Sequence, residues 1–241
     1  LGLTRRADPY PWGALWFIAK DPDEVFTGKL FQVVDGTRRM LGLLPSGLGP
    51  EEGRDDDHIP EVSLYWSLAA RELDAFRADG FDAWRAEIRE MMPEAGFVLD
   101  AIASPNDVLY SAYHDVVMQP WNTRGVVALG DAAHAMSPQL GQGANLALWD
   151  AMVLADAIDI ERGDVVRALH RYSRTRRDHL AYYQLVTRAL TPFFQSDHEV
   201  LGSLRDVFMP LLGKVSLFKQ AMVLGMCGTA DGHPWRRVPM P

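Results

Sequence analysis

The chain has 241 residues, 48% of them hydrophobic and 23% charged, the balance of an ordinary globular protein. Its net charge of -8 argues against a nucleic-acid partner, which calls for a basic face. The lone cysteine, Cys227, rules out an internal disulfide and a cysteine zinc site. It fits a reducing, cytoplasmic setting and reads as a small buried apolar residue.

In chain order, strands are predicted at residues 14–20, 29–36, 37–47 and 62–68, each rich in aromatic or branched residues and bounded by Gly, Pro or Asp. Their close spacing predicts an antiparallel sheet. The polar stretch 49–61 reads as a solvated surface loop, and the spacing of its carboxylates and His58 fits no calcium site. Residues 69–92 form a helix broken at Gly80 and stopped by Pro93, with Ala69, Leu73 and Phe76, then Phe81, Trp84 and Ile88, on apolar faces. Strands follow at 98–104 and 108–121.

The pattern then changes, which places a domain crossing near Pro120. The apolar run Gly125–Leu129 has the character of a strand buried on both faces in a parallel sheet. After it, Ala144, Leu148, Ala151, Ala155 and Ile158 recur at helical intervals and predict a face that packs on a sheet. Residues 164–190 predict a second long helix, ended by Pro192, with its Arg cluster on a solvated face. The Met- and Phe-containing tail reads as a folded helical region, favoured over the alternative of weak membrane association through it. No run reaches the roughly 18 apolar residues of a membrane helix. The nearest approach, 209–228, is interrupted by Lys214 and Lys219.

The junction in RGVVALGDAAHAMSPQLGQGANLALWDAMVLADAI, residues 124–158, carries the chemistry. A strand ends at Gly130-Asp131, where a carboxylate can accept hydrogen bonds from a sugar diol. Gly130, Ala132 and Ala133 allow a bulky ligand close to the backbone. Pro138, Gly141 and Gly143 then precede a helix whose free N–H groups suit an anionic or electron-rich group. Each half alone is also what an ordinary strand-loop-helix connection looks like. In tandem they make a compact site for a long ligand, with a sugar at one end and an electron-accepting ring at the other.

This stretch resembles the second flavin-binding motif of the flavoprotein aromatic hydroxylases, the para-hydroxybenzoate hydroxylase-like monooxygenases. The resemblance is strong from Trp121 to Ile158, and the order of elements fits it over most of the chain. It implies an α/β (α+β) fold: a mostly antiparallel substrate-domain sheet, the C-terminal part of an FAD-binding Rossmann-like domain, and C-terminal helices. The expected divisions are 1–119 for the substrate-binding sheet region, 120–160 for the second FAD-binding motif and 161–241 for the helical region. By resemblance, Asp131 binds ribityl or ribose hydroxyls of FAD, and Gly130 to Ala132 lie near the pyrophosphate. Pro138 lines the flavin ring beside the substrate. Gly141, Gly143, Ala144 and Asn145 place N–H groups against the pyrimidine end of the ring, which gains negative charge on reduction. His134 is expected to order the loop by a hydrogen bond. No catalytic residue and no metal site is assigned.

The implied reaction uses NAD(P)H and dioxygen to hydroxylate an aromatic or related electron-rich small molecule. Trp16, Phe31, Tyr65 and Trp66 are candidates for the pocket wall, with about half of them facing elsewhere because strand faces alternate. Alternatives are a related flavoprotein reductase or halogenase, or a non-catalytic fragment acting as a binding module. The family's Gly-x-Gly-x-x-Gly turn for the ADP half of FAD is absent; Ser46 to Gly53 contains Gly-x-Gly but continues into Pro and charge. The Asp-Gly segment between the two flavin motifs is absent as well, and Trp149 stands where relatives often carry an acid. The chain also starts without Met. The expectation is therefore a C-terminal portion of a longer enzyme, inactive alone, with the N-terminal flavin-binding portion as its missing partner.

Overall fold

A computed structural model describes residues 3–51 and 54–230 of the chain. They form a mixed α/β structure whose main sheet is antiparallel in every register described, and the chain divides into two compact units. One comprises residues 11–112 and 193–202. The other comprises 1–10, 113–192 and 203–241.

The first of these is built on a five-stranded sheet of order β2-β3-β4-β1-β5, in which β1 is Thr4–Lys20, β2 Phe31–Asp35, β3 Arg39–Glu51, β4 Arg54–Ala69 and β5 Leu109–Gln119. β1 runs against β4 from Trp12 opposite Ala69 to Lys20 opposite Glu61. This pairing puts Leu15 beside Trp66 on one face and Trp16 beside Tyr65 on the other. Leu15, Leu41, Leu43, Val62, Leu64 and Trp66 are buried in a common core. Against that core packs a helical segment whose turns change pitch: a 3-10 turn at Ala70–Glu72, α1 (Leu73–Ala75), a π turn at Phe76–Gly80, and α2 (Phe81–Met91). Phe76, Trp84 and Ile88 are its buried residues, so the predicted faces point inward across the π turn that ends at Gly80.

Two expectations fail here. The stretch 49–61 is not a loop: β3 and β4 extend through it as a long hairpin, with exposed His58 on β4. Residues 52 and 53 lie outside the described residues. Ladder pairing between β3 and β4 holds this stretch extended, and a polar sequence carries no alternation to announce it. Residues 98–104 are not a strand either. Pro93 starts a 3-10 turn that leads into the short α3 (Gly96–Asp100), whose Val98 and Leu99 join the core. A run that short carries no period of its own.

Gly13 on β1 faces a neighbouring backbone with no room to spare. A Cβ there would lie 2.4 Å from the Ser111 carbonyl oxygen and 2.6 Å from the Tyr110 ring. Gly13→Ala is expected to destabilise the chain by about 1–3 kcal/mol through overpacking. Chemical denaturation checks this, and an unchanged midpoint would contradict the contact.

The second unit contains the hairpin of β6 (Asn122–Thr123) and β7 (Val126–Val127), then α4 (Asp131–His134), α5 (Gly143–Ile160) and α6 (Val165–Phe194). α7 (Glu199–Leu212), which starts in the first unit, and α8 (Ser216–Met226) follow. The predicted parallel strand at 125–129 is only the two residues of β7, paired antiparallel to β6, and Val126 is exposed. Among the described residues no parallel neighbour supplies the second buried face that the apolar run anticipates. α5 is helical as predicted but turned over. Leu146, Trp149, Asp150, Val153 and Ala157 are buried, while Ala144, Leu148, Ala151, Ala155 and Ile158 are exposed. The helix is apolar on two stripes, and the one with Trp149 has the tertiary partners. α6 continues past Pro192 to Phe194. Cys227 is exposed at the end of α8 rather than buried.

Candidate functional site

The predicted ligand residues gather where α4 and α5 begin. Gly130 caps α4 at φ 54°, and Gly141 closes the 3-10 turn Pro138–Leu140 in the left-handed region at φ 62°. A side chain would be strained at both positions. At Gly130 a Cβ would also sit 3.1 Å from the Ala147 Cβ, so the end of the strand lies directly on α5.

Asp131, Ala132, Pro138, Gly141 and Ala144 are exposed, and Gly143 and Asn145 are half-buried. α5 starts at Gly143 with no side-chain capping bond from Gln142. The amides of its first turn have no intrahelical acceptor and carry the positive end of the helix dipole. Asp131 Oδ1 comes within 3.9 Å of the position a Gly143 Cβ would occupy. The fold therefore sets the strand-end carboxylate beside the uncapped helix start. Ser137, next to Pro138, has a buried hydroxyl with no hydrogen-bond partner among the described residues. Such a group is satisfied when a polar ligand reaches it.

Beneath this surface lies a buried polar hub centred on Asp150. Its Oδ2 accepts the Gly130 N–H at 2.9 Å and His134 Nε2 at 2.6 Å. Its Oδ1 accepts Arg176 Nε at 2.7 Å, and the same guanidinium donates to the Leu146 carbonyl at 3.1 Å. Burial by itself would raise the Asp150 carboxyl. The His134 imidazole, the Arg176 charge and the Gly130 amide overcome it and hold the group at about 2. A carboxylate can only accept, so His134 donates from Nε2, and this bond orders the loop.

Arg176 also donates to His179 Nδ1, and His179 Nε2 donates to the Gly228 carbonyl at 3.0 Å. The chain after α8 is thereby tied to the same hub. Tyr183 Oη reaches the Gly225 carbonyl at 3.1 Å and accepts the Ala230 N–H at 3.2 Å. Gln142 Nε2 donates to the Met226 carbonyl at 2.7 Å. Asn145 Nδ2 donates to Gln142 Oε1 at 2.8 Å and to the Cys227 carbonyl at 3.3 Å. The Asn145 side chain is thus committed to holding the C-terminal segment, leaving its backbone amide for a ligand.

Asp150, Arg176 and His179 were not predicted as site residues, and Gln142 only through its backbone, within the run Gly141 to Asn145. Arg176 was grouped with a solvated cluster, yet it is 1% exposed. The signal was its place in the run Ala168, Tyr172, Arg176 and Leu180, one residue every four, which sets it on the buried stripe of α6 apart from exposed Arg174 and Arg177. Asp150 left one signal: a carboxylate beside Trp149, within the heptad-like run of Leu146, Val153 and Ala157, is on the buried side of any helix that buries Trp149.

The chain matches the family model of the FAD binding domain over residues 64–188. Kynurenine 3-monooxygenase of Candida albicans is 42% identical over 119 residues, 48% of this chain and 25% of that protein. A 3-amino-4-hydroxybenzoate 2-monooxygenase of Streptomyces platensis is 35% identical over 117 residues, again 48% of this chain and 26% of the relative. Among solved structures, the tetrameric form of 2-methyl-3-hydroxypyridine-5-carboxylic acid oxygenase has a TM-score of 0.62 at 21% identity, over 98% of this chain and 56% of its own. That likeness speaks for the fold. The chain spans about a fifth to two-fifths of the length of the curated relatives it matches.

Proposed function

Because this chain belongs to the FAD binding domain family, with flavin-dependent monooxygenases among its relatives, we propose that residues 130–145 hold the flavin half of FAD in a hydroxylating enzyme. The observation that carries this reading is the exposed Asp131 carboxylate beside the uncapped start of α5. Asp131 would accept hydrogen bonds from the ribityl chain. Gly130 and Ala132 would let the pyrophosphate approach, and Pro138 would flank the ring. The first-turn amides of Gly143, Ala144 and Asn145, with the glycine turn at Gly141, would face the pyrimidine edge. The group itself supplies reducing equivalents taken from NAD(P)H and the activation of dioxygen. The protein supplies position and the positive helix end that favours the reduced ring.

The sheet unit would carry the substrate, an electron-rich small aromatic molecule. The face of Trp16 and Tyr65, whose rings stack 6.5 Å apart, is the candidate wall, because Trp66 and Phe31 are taken up by the core side. The ADP half of FAD would be held by a dinucleotide-binding portion outside these residues, which we place in the cytoplasm with the rest of the enzyme.

The test is a titration of the purified chain with FAD, followed by the visible spectrum and flavin fluorescence. A perturbed flavin spectrum without NAD(P)H oxidation is expected. Asp131→Ala should weaken binding by about 10–100-fold, the loss of charge-assisted hydrogen bonds. An unperturbed spectrum at saturating FAD, or equal affinity in the variant, overturns the assignment of these residues.

A further inference from the structure

The tail that the sequence predicts to be packed away exposes a row of large apolar side chains. On α7, Leu204, Val207, Phe208 and Leu211 follow i, i+3, i+4, i+7 spacing and are 40%, 60%, 53% and 53% exposed. Arg205, off that stripe, is buried. On α8, Leu224 and Gly225 turn inward, while Met222, Val223 and Met226 are exposed. α7 carries an apolar stripe outward, the reverse of a helix that packs on a core, and α8 is apolar on both sides, with Leu224 and Gly225 inward. Contiguous exposure on this scale marks a contact surface.

The charge of this segment says what that surface contacts. From Leu204 to Met226 the sequence has one acid, Asp206, which pairs with Arg205, although the chain carries 32 acidic residues and a net charge of -8. Two of the chain's four lysines, Lys214 and Lys219, lie within it, and both are exposed. Lys214 sits in the turn between the helices. Lys219 shares the outward side of α8 with Met222, Val223 and Met226. An ammonium on a long stem beside apolar residues suits a boundary where methylenes enter oil and the charge meets anions.

Length sets the mode. α7 has 14 residues and α8 has 11, and the pair is bent by 110°. No single described helix is long and apolar enough to cross a membrane. Short amphipathic helices with basic residues at their polar margin lie in the interface. We infer that the α7–α8 hairpin, from Leu204 to Met226, is a peripheral docking surface for an anionic lipid bilayer. The helices insert their apolar stripes among the acyl chains, and Lys214 and Lys219 pair with lipid headgroups. This does not depend on the flavin assignment.

The test is co-sedimentation of the full chain with phosphatidylcholine vesicles, with and without about a third phosphatidylserine. Binding is expected to the anionic vesicles and to fall as salt is raised. Replacing both lysines (Lys214→Gln with Lys219→Gln) should weaken it about thirtyfold, at about fivefold per basic residue near a charged surface. Phe208→Ser with Leu211→Ser should abolish it. All four side chains are exposed, so both variants are expected to keep the parent's circular dichroism and melting curve. A folded chain that ignores anionic vesicles overturns the inference. So does equal binding to neutral vesicles, or a dimer that depends on Phe208 and Leu211 and forms without lipid.

Discussion

Asp150→Ala is expected to destabilise the chain by about 3–5 kcal/mol, the cost of breaking a buried ion pair from one side. Asp150 is fully buried, and three donors converge on it from different parts of the unit: Gly130, His134 and Arg176. With an alanine there, the Arg176 guanidinium keeps the Leu146 carbonyl and His179 but loses its counter-charge. The Gly130 amide loses its acceptor in the same step. Asp150→Asn retains one acceptor oxygen and should cost less. Replacing both members, Asp150→Leu with Arg176→Met, should recover much of the loss, because apolar groups leave no stranded charge. Urea unfolding of the wild type, Asp150→Leu, Arg176→Met and the pair together forms a double-mutant cycle. A loss below about 1 kcal/mol for Asp150→Ala would show that the hub does not hold the unit together. Hydrogen exchange at Gly130–Ala135 should accelerate in the same variant, since the loop carrying Asp131 is tied down through Gly130 and His134.

The site was legible where backbone geometry writes itself into residue type. Gly130 and Gly141 sit at positive φ, Pro138 opens a turn, and Asp131 lies at the junction, as the order of residues requires. The four antiparallel strands were legible because bounded aromatic and branched runs have little else to do. What was not legible depends on partners distant in sequence. α5 is apolar around most of its circumference, so its period identifies a helix without choosing a face. The choice was made by Asp150, whose acceptor oxygens match Arg176 far along the chain. The apolar run 125–129 predicts a doubly buried strand, whereas only Val126–Val127 pairs, antiparallel to β6, with Val126 exposed. Arg176 stands four residues from both Tyr172 and Leu180 on the buried stripe of α6, a signal masked by the arginines around it. The tail is helical as its sequence suggests, but residue type predicts an interior for Met and Phe, whereas Phe208 on α7 and Met222 and Met226 on α8 are exposed.

Stability is expected to fall by roughly 3 kcal/mol as pH drops from about 6.5 to about 4, through His179 alone. His179 is 1% exposed. Its Nδ1 faces the Arg176 guanidinium and its Nε2 donates to the Gly228 carbonyl, which fixes the neutral ring in one tautomer. Burial first, and then the Arg176 charge, lower its pKa to about 4; the Gly228 carbonyl and Asp150 oppose them without prevailing. Between the ordinary histidine value and that lowered one, the unfolded chain binds a proton that the folded chain refuses. Stability therefore rises with pH across the window and is flat, for this group, below it. Asp150 acts in a separate and lower window. Its lowered pKa contributes stability above the ordinary aspartate value, which is lost only as pH falls toward about 2. His179→Asn keeps an acceptor near the Nδ1 position and cannot take up the proton. Unfolding of both proteins at several pH values should give curves that converge on acidification, the variant lacking the limb between 6.5 and 4. Parallel curves would remove His179 as the cause. The same window should reach the ligand surface. A Cβ on Gly228 would lie 1.9 Å from Asn145 Nδ2 and 2.6 Å from Gln142 Oε1, so the segment His179 anchors is in direct contact with the start of α5. A protonated His179 would push against Arg176 and release that segment. Under the flavin reading, FAD affinity should then decline with stability over these pH units and stay level in His179→Asn.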